Sequence, residues 1–124
     1  MKNQPKFRTP SQVIDLWVKA LYSGKYRQGK GALRPSKGTF CCLGVLCDLA
    51  AKDGGQQWTN DFNYSYSYKH SFPPEHLTNY LGLTHIQILF LAETNDKGES
   101  FNNIATHIER FKPQLAKNLA TRKV

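Results

Sequence analysis

Residues 40–49, with the sequence FCCLGVLCDL, constrain the fold more than any other part of this 124-residue chain. The run is apolar except for Asp48, and it contains all three cysteines. Residues 39–41 have the β-branched and aromatic character of a strand. Residues 43–52 are typical of a buried helix, which the glycines at 54–55 end. The run therefore predicts a core junction at which a strand passes into a helix.

The cysteines of this junction allow two interpretations. A thiolate is a strong nucleophile that the N-terminus of a helix stabilises, so Cys42 is a candidate catalytic residue. Free cysteine is also among the most frequently buried residue types, which favours a packing role for Cys41, Cys42 and Cys47. An odd count with two adjacent cysteines does not suit a disulfide framework. The four histidines lack the pairing of a zinc site, so we expect no metal and no cofactor.

The segment before the junction predicts a helix followed by a hairpin. Thr9 and Gln12 form a capping box, and an amphipathic stripe follows until Gly24 ends the helix. The stripe consists of Val13, Leu16, Trp17, Ala20 and Leu21. From Tyr26 to Cys41 two extended stretches flank turn chemistry at residues 35–38, which predicts an antiparallel β-hairpin.

The second half of the chain predicts short helices. Residues 73–74, both proline, begin one helix that Gly82 ends, and Thr84 with Gln87 forms a second capping box. The box favours a helix over residues 86–93, although the apolar run at its start also has strong β propensity.

Beyond this helix, residues 95–98 have the composition of a turn. Ser100 is placed to cap a further helix, and Pro113 is expected to break it. The fold class is therefore α+β: a single small domain over residues 1–124, with a β-hairpin or small antiparallel sheet packed by four to five short helices. Residues 1–9 and 112–124 are expected to be flexible basic termini.

The net charge of +8 is unevenly distributed. Residues 1–37 carry +8, residues 38–107 carry −4, and residues 108–124 carry +4. Such asymmetry favours an anionic partner, either a small molecule or a host protein, with nucleic acid as an alternative. No apolar run approaches the roughly 20 residues that span a bilayer. No signal-peptide segment follows the basic N-terminus, so we expect a cytoplasmic protein without membrane partners.

The predicted hairpin and the predicted turn contain the candidate ligand-binding residues. Glycines allow a ligand to approach the backbone, and interspersed arginine and lysine donate charge-assisted hydrogen bonds to phosphate. The candidates are Tyr26, Arg27, Gln28, Lys30, Arg34, Asn95 and Asp96. The alternative is a solvated hairpin and an ordinary turn. The tyrosine-rich residues 63–68 either present rings for stacking on exposed bases or pack on their own domain.

Several segments together resemble an uncharacterised family of small proteins encoded by bacteriophages and bacterial mobile elements. The first is WVKALYSGKYRQGKGALR at residues 17–34, which continues into residues 40–49. The second is LAETNDKGESFNNIATHIE at residues 91–109, and residues 72–83 match an element between them. The resemblance implies a phage or prophage origin and supplies no activity.

Three functional hypotheses follow. The first is a phage-type accessory protein that binds, and so sequesters, a nucleotide-like anion or inhibits a host protein. The second is a nucleic-acid-binding protein that uses its basic ends, because residues 100–119 have apolar spacing similar to a helix-turn-helix. The third is a cysteine hydrolase: residues 41–44 faintly resemble the Asp-Cys-Ser-Gly element of NlpC/P60-type peptidases, with Cys42 as nucleophile.

Overall fold

The computed structural model describes residues 8–121, and in this range it contains five helices and one two-stranded sheet. In chain order the elements are α1 (Pro10–Tyr22), β1 (Arg27–Gln28), β2 (Thr39–Phe40), α2 (Cys42–Asp53), α3 (Glu75–Leu81), α4 (His85–Asp96) and α5 (Phe101–Thr121). The protein is mostly helical, and the predicted α+β class of a small single domain with four to five helices is confirmed.

Local sequence signals set the starts of α1 and α4 and the end of α3 as predicted. The Thr9 hydroxyl accepts a hydrogen bond from the Gln12 amide, and the Gln12 side chain accepts one from the Thr9 amide at 2.8 Å. Thr84 and Gln87 make the same reciprocal pair at the start of α4. Gly82 follows α3 in the left-handed conformation with φ of 78°, which a residue with a side chain rarely adopts.

The two strands pair in parallel, so the predicted antiparallel hairpin over residues 26–41 is wrong. Arg27 pairs with Thr39, and Gln28 pairs with Phe40. Parallel pairing requires the chain to reverse twice, and the turn chemistry at residues 35–38 supplies only the second reversal, where Ser36 and Thr39 form an antiparallel bridge.

Leu33, between the two strands, is fully buried and explains this path. Its amide donates to the carbonyl of His70 at 3.1 Å, and its carbonyl accepts from the amide of Cys41 at 3.0 Å. These long-range bonds hold the middle of the segment against the core, where a simple hairpin would extend away from it.

Two further expectations differ from the structure near the ends of α4 and α5. Asn95 and Asp96 form the last turn of α4, and the turn that follows involves Lys97 and Gly98. Pro113 lies inside α5 and does not end it. Proline removes one helical hydrogen bond at that position, but the helix continues because Leu115 beyond it is buried.

The predicted flexible termini are described only in part. Residues 112–121 form the second half of α5, where the Asn118 side chain donates to the carbonyl of Gly82 at 2.8 Å. Residues 1–7 and 122–124 lie outside the described residues. None of the helices that the structure describes is both long and apolar enough to cross a membrane.

Helix α2 lies at the centre of the core, against α1, α4 and β2. Its first seven residues are buried, and Trp17 of α1 donates an indole N–H to the carbonyl of Cys42 at 2.9 Å. Gly44 allows the closest approach, because a Cβ built on it would lie 1.7 Å from the carbonyl oxygen of Leu33.

Replacement of Gly44 tests this close approach. Gly44→Ala should lower the free energy of unfolding by about 3 kcal/mol or more, at or beyond the upper end of the usual overpacking cost. Leu33 cannot move away easily, since both its amide and its carbonyl are hydrogen-bonded. Gly38→Ala is the matched control, because nothing lies within 4 Å of its Cβ position. Urea denaturation measures both variants, and equal destabilisation of the two would contradict the packing described for α2.

Candidate functional site

A cleft of about 680 Å³ opens between the two strands, α2 and the loop that follows α2. We call it the aromatic cleft. Its lining combines aromatic rings with three basic residues and one acidic residue. The aromatic members are Tyr26, Phe40, Trp58 and Tyr68, and the charged members are Lys25, Arg34, Asp48 and Lys52.

The rings of the cleft contact one another in sequence. Tyr26 and Phe40 meet edge to face with centroids 5.1 Å apart, and Phe40 meets Trp58 at 6.2 Å. Trp58 and Tyr68 lie 5.8 Å apart with an interplanar angle of 34°. These contacts fix the ring orientations, so the cleft presents a preformed aromatic surface.

Arg34 lies over these rings. Its guanidinium carbon is 4.6 Å from the Phe40 centroid, 5.1 Å from that of Tyr68 and 5.5 Å from that of Trp58. Its Nε and Nη2 donate to the carbonyl of Lys37 at 3.1 and 2.5 Å. Arginine carries five N–H donors, and among the described residues the others make no hydrogen bond. A fixed guanidinium with donors to spare is suited to binding an anion.

Asp48 organises the inner part of the cleft. Its carboxylate accepts from the Tyr26 hydroxyl at 2.6 Å, the Trp58 indole N–H at 3.0 Å and the Lys52 ammonium at 2.9 Å. Burial acts to raise the pKa of this carboxyl, but the hydrogen bonds from these donors outweigh it and lower the pKa below its ordinary value. Asp48 therefore stays ionised and positions the rings of Tyr26 and Trp58.

Tyr26 remains a neutral donor in this arrangement. Burial raises the pKa of its phenol, and the hydrogen bond to Asp48 raises it further. Lys52 balances the charge of Asp48, so Lys25 and Arg34 leave the aromatic cleft with an excess of positive charge.

The structure does not bring all seven candidate ligand-binding residues together. Tyr26 and Arg34 line the aromatic cleft, whereas Arg27 and Lys30 are exposed and do not line it. Asp96 accepts a hydrogen bond from the amide of Gly31 at 3.1 Å and so anchors the loop after β1 to α4.

Gln28 and Asn95 form a buried network away from the cleft. Asn95 is fully buried, and its Oδ1 accepts from Gln28 Nε2 at 2.9 Å and from the Cys42 amide at 3.1 Å. Its Nδ2 donates to the carbonyl of Gly29 at 2.8 Å, and Gln28 also donates to the carbonyl of Glu99 at 2.7 Å. Both side chains have protein partners for the groups that a ligand would need, so they support the fold.

The cysteines occupy the core. Cys41 is the N-cap of α2, and Cys42, the first residue of the helix, is fully buried with its thiol 3.5 Å from the carbonyl of Leu91. Burial raises the pKa of Cys42 well above its ordinary value, an effect to which the neighbouring Cys41 adds. Desolvation therefore outweighs the helix N-terminus, and the geometry favours packing over the role of a nucleophile.

Other titratable groups do not assemble a metal centre within residues 8–121. No group of three or more histidine, cysteine, aspartate or glutamate side chains in this range is placed to hold an ion. Two histidines are engaged locally: a ring nitrogen of His70 lies 3.0 Å from the carbonyl oxygen of Tyr64, and one of His107 lies 3.2 Å from the Glu99 carboxylate.

Sequence reasoning missed most of the aromatic cleft, although signals for it exist. Asp48 is the one charged residue of the apolar run at 40–49, which indicates a buried carboxylate with partners. Trp58 precedes the tyrosine-rich stretch at residues 63–68, and Tyr68 ends it. The tyrosines of the stretch differ in burial: Tyr66 is buried, whereas Tyr64 is 59% exposed. Alternating polarity in that stretch does not reveal which rings turn inward.

The fold and the cleft define a small α+β protein with a basic, aromatic-lined cleft. The chain belongs to the family described as a domain of unknown function, DUF8296, whose model matches residues 10–83. The match extends from the start of α1 to just beyond α3 and contains every lining residue of the aromatic cleft. No curated protein and no solved structure matches the chain. The expected membership of an uncharacterised family is thereby confirmed.

Removal of the Asn95 carboxamide tests its structural role. Asn95→Ala should lower the free energy of unfolding by about 3 kcal/mol or more, because each buried polar group left unpaired costs roughly 1–3 kcal/mol. The exposed Asn102 on α5 provides the control, since Asn102→Ala makes the same change in helix propensity without breaking this network. Chemical denaturation compares them, and a small effect at Asn95 would contradict the network described above.

The buried thiols predict loss of stability at alkaline pH. Burial raises the pKa of Cys41 to about 11, that of Tyr66 to about 12, and those of Cys42 and Cys47 well above their ordinary value. Because the pKa values are raised in the folded state, the protonated buried thiols make their full contribution to its stability below the unfolded thiol pKa of about 8.5. This contribution is lost as the pH rises above that value. The free energy of unfolding should therefore fall from about pH 8.5 upwards.

Cys47→Ala separates the thiols from the other titrating groups. This variant should lose less stability between pH 8 and pH 11 than the unmodified protein, because the unfolded chain then has one thiol fewer to ionise. The comparison concerns the slope of unfolding free energy against pH, so any cavity left by the substitution does not affect it. Identical slopes would be the contrary result.

Proposed function

We propose that this chain is a small phage-type accessory protein that acts by binding, and that the aromatic cleft takes a nucleotide-like anionic ligand. The observation that carries the proposal is the position of Arg34 over Phe40, Trp58 and Tyr68. This arrangement puts a cation with spare N–H donors beside several aromatic faces. A nucleotide needs both groups in one place: flat apolar surface for its base, and positive charge for its phosphate.

The chemistry of the cleft matches each part of such a ligand. Base–aromatic stacking contributes roughly 1–3 kcal/mol per base in single-stranded nucleic-acid complexes. The half-buried rings of Trp58 and Tyr68 offer this surface. Arg34 binds phosphate in a bidentate manner, and the exposed ammonium group of Lys25 adds charge at the rim. Asp48 opposes an anion little, because three donors already satisfy its carboxylate.

The role in a host cell follows from the same binding. The resemblance of residues 17–34 and 91–109 to small phage proteins supports a phage origin. A protein of that origin that binds a nucleotide without a nucleophile at hand would act by sequestering the ligand, for example a nucleotide immune signal of the host. Inhibition of a host protein through the same cleft is the related alternative.

A nucleotide panel that includes cyclic nucleotides tests the cleft. A nucleotide of the panel that binds should stabilise the protein by about 2.7 kcal/mol when its concentration is 100 times its dissociation constant, and thermal melting detects this stabilisation. In calorimetric titrations, Arg34→Gln and Lys25→Gln should each weaken binding about tenfold, since a charge-assisted hydrogen bond contributes about 1.5–3 kcal/mol. Lys25→Gln is the cleaner variant because the Lys25 side chain is exposed and makes no hydrogen bond with the described residues.

The matched controls are Arg27→Gln and Lys97→Gln, each of which removes one positive charge from an exposed position outside the cleft. They should leave the affinity unchanged at fixed ionic strength. If no panel member shifts the melting temperature, the proposal fails. If the controls weaken binding as much as the cleft variants, and single-stranded DNA binds with a steep dependence on salt, the protein is a general nucleic-acid binder.

A further inference from the structure

Helix α4 is apolar on two opposite sides. Its inner side, which includes Ile88 and Leu91, packs into the core. Its outer side carries Ile86, Leu89 and Phe90, with exposed fractions of 78%, 37% and 40%. A helix that is apolar all round is normally covered on both sides, and within residues 8–121 nothing covers this outer face fully.

The outer apolar residues are contiguous. Ile86, Leu89 and Phe90 are spaced i, i+3 and i+4, which places them side by side on one helix face. Phe90 also contacts α5, with its ring centroid 5.2 Å from that of His107 and 5.9 Å from that of Phe111. These edge-to-face contacts hold the Phe90 ring in place and extend the surface onto α5. A continuous apolar surface of this kind marks an interaction site more often than scattered exposed residues do.

We propose that this outer face of α4 is the two-fold interface of a homodimer, in which α4 packs antiparallel against α4 of a second copy. The charges flanking the apolar residues are self-complementary about Leu89. His85 lies four residues before Leu89, and Glu93 lies four residues after it. Antiparallel packing centred on Leu89 therefore sets His85 of one copy opposite Glu93 of the other, and two-fold symmetry makes this pair twice.

Electrostatics also favours this face for a second copy. Two chains with a net charge of +8 repel each other, so a self-contact must avoid the basic parts of the surface. The fully charged residues of α4 and its C-cap are Glu93, Asp96 and Lys97, which leaves this helix with a slight negative charge. An imidazole N–H can donate to the facing carboxylate, so the rim of the contact is polar and paired around an apolar centre.

Sedimentation of the full chain tests the proposal. The unmodified protein should show a reversible monomer–dimer equilibrium between micromolar and near-millimolar concentration, the range of weak association. Ile86→Asp should be monomeric throughout, because it places a charge in the apolar centre. The matched control is Tyr64→Asp, which introduces the same charge at a ring that is 59% exposed in the loop after α2. It should dimerise like the unmodified protein, and far-UV circular dichroism confirms that both variants fold.

Charge exchange tests the antiparallel register. Glu93→Arg should weaken the dimer, because residue 93 faces His85 of the second copy and the arginine cannot accept a hydrogen bond from it. The double variant His85→Glu/Glu93→Arg should restore the dimer. A chain that stays monomeric at every concentration overturns the proposal, as does equal dimerisation of Ile86→Asp and Tyr64→Asp. Failure of the double variant to restore association overturns the register. No residue of α4 lines the aromatic cleft, so these outcomes are independent of nucleotide binding.

Discussion

The rest of this structure depends on the hydrogen bonds of the buried Asn95 carboxamide. It joins three segments that are distant in the chain: its oxygen accepts from Gln28 of β1 and from the first amide of α2, and its nitrogen donates to the carbonyl of Gly29. A buried amide is costly unless all of its groups are paired. The network therefore specifies one arrangement of the β1 loop, the start of α2 and the end of α4.

The aromatic cleft depends on this network, because the network supports the strands that line the cleft. Gln28, whose side chain bonds to Asn95, pairs with Phe40 of β2, and Phe40 and the neighbouring Tyr26 line the cleft. Within the junction at residues 40–49, β2 passes directly into α2, which presents Asp48 to Tyr26 and Trp58. Gln28 and Asn95 thus belong to a binding site only indirectly, as residues that position the strands beneath it.

Features that depend on neighbouring residues were predictable from the sequence, and features that depend on distant partners were not. The capping boxes at Thr9 and Thr84 act within four residues, so the helix starts follow from the sequence alone. The direction of β2 relative to β1 depends on bonds from Leu33 to Cys41 and His70, which no local pattern reveals. The continuation of α5 through Pro113 likewise depends on tertiary contacts, because Leu115 is buried and Asn118 bonds to Gly82.

The two most ambiguous stretches of the sequence have physical explanations in the structure. The apolar run at residues 86–91 fits helix and strand equally well because α4 is apolar on both sides, so its pattern loses the period of an amphipathic helix. At the cysteine junction, a helix N-terminus and burial act on the same thiol in opposite directions. The dipole effect at a helix end is modest, whereas complete removal from water disfavours a thiolate strongly. Since Cys42 is fully buried, desolvation decides the outcome. A cysteine at the start of a helix is therefore a candidate nucleophile only where the fold also leaves it in contact with solvent.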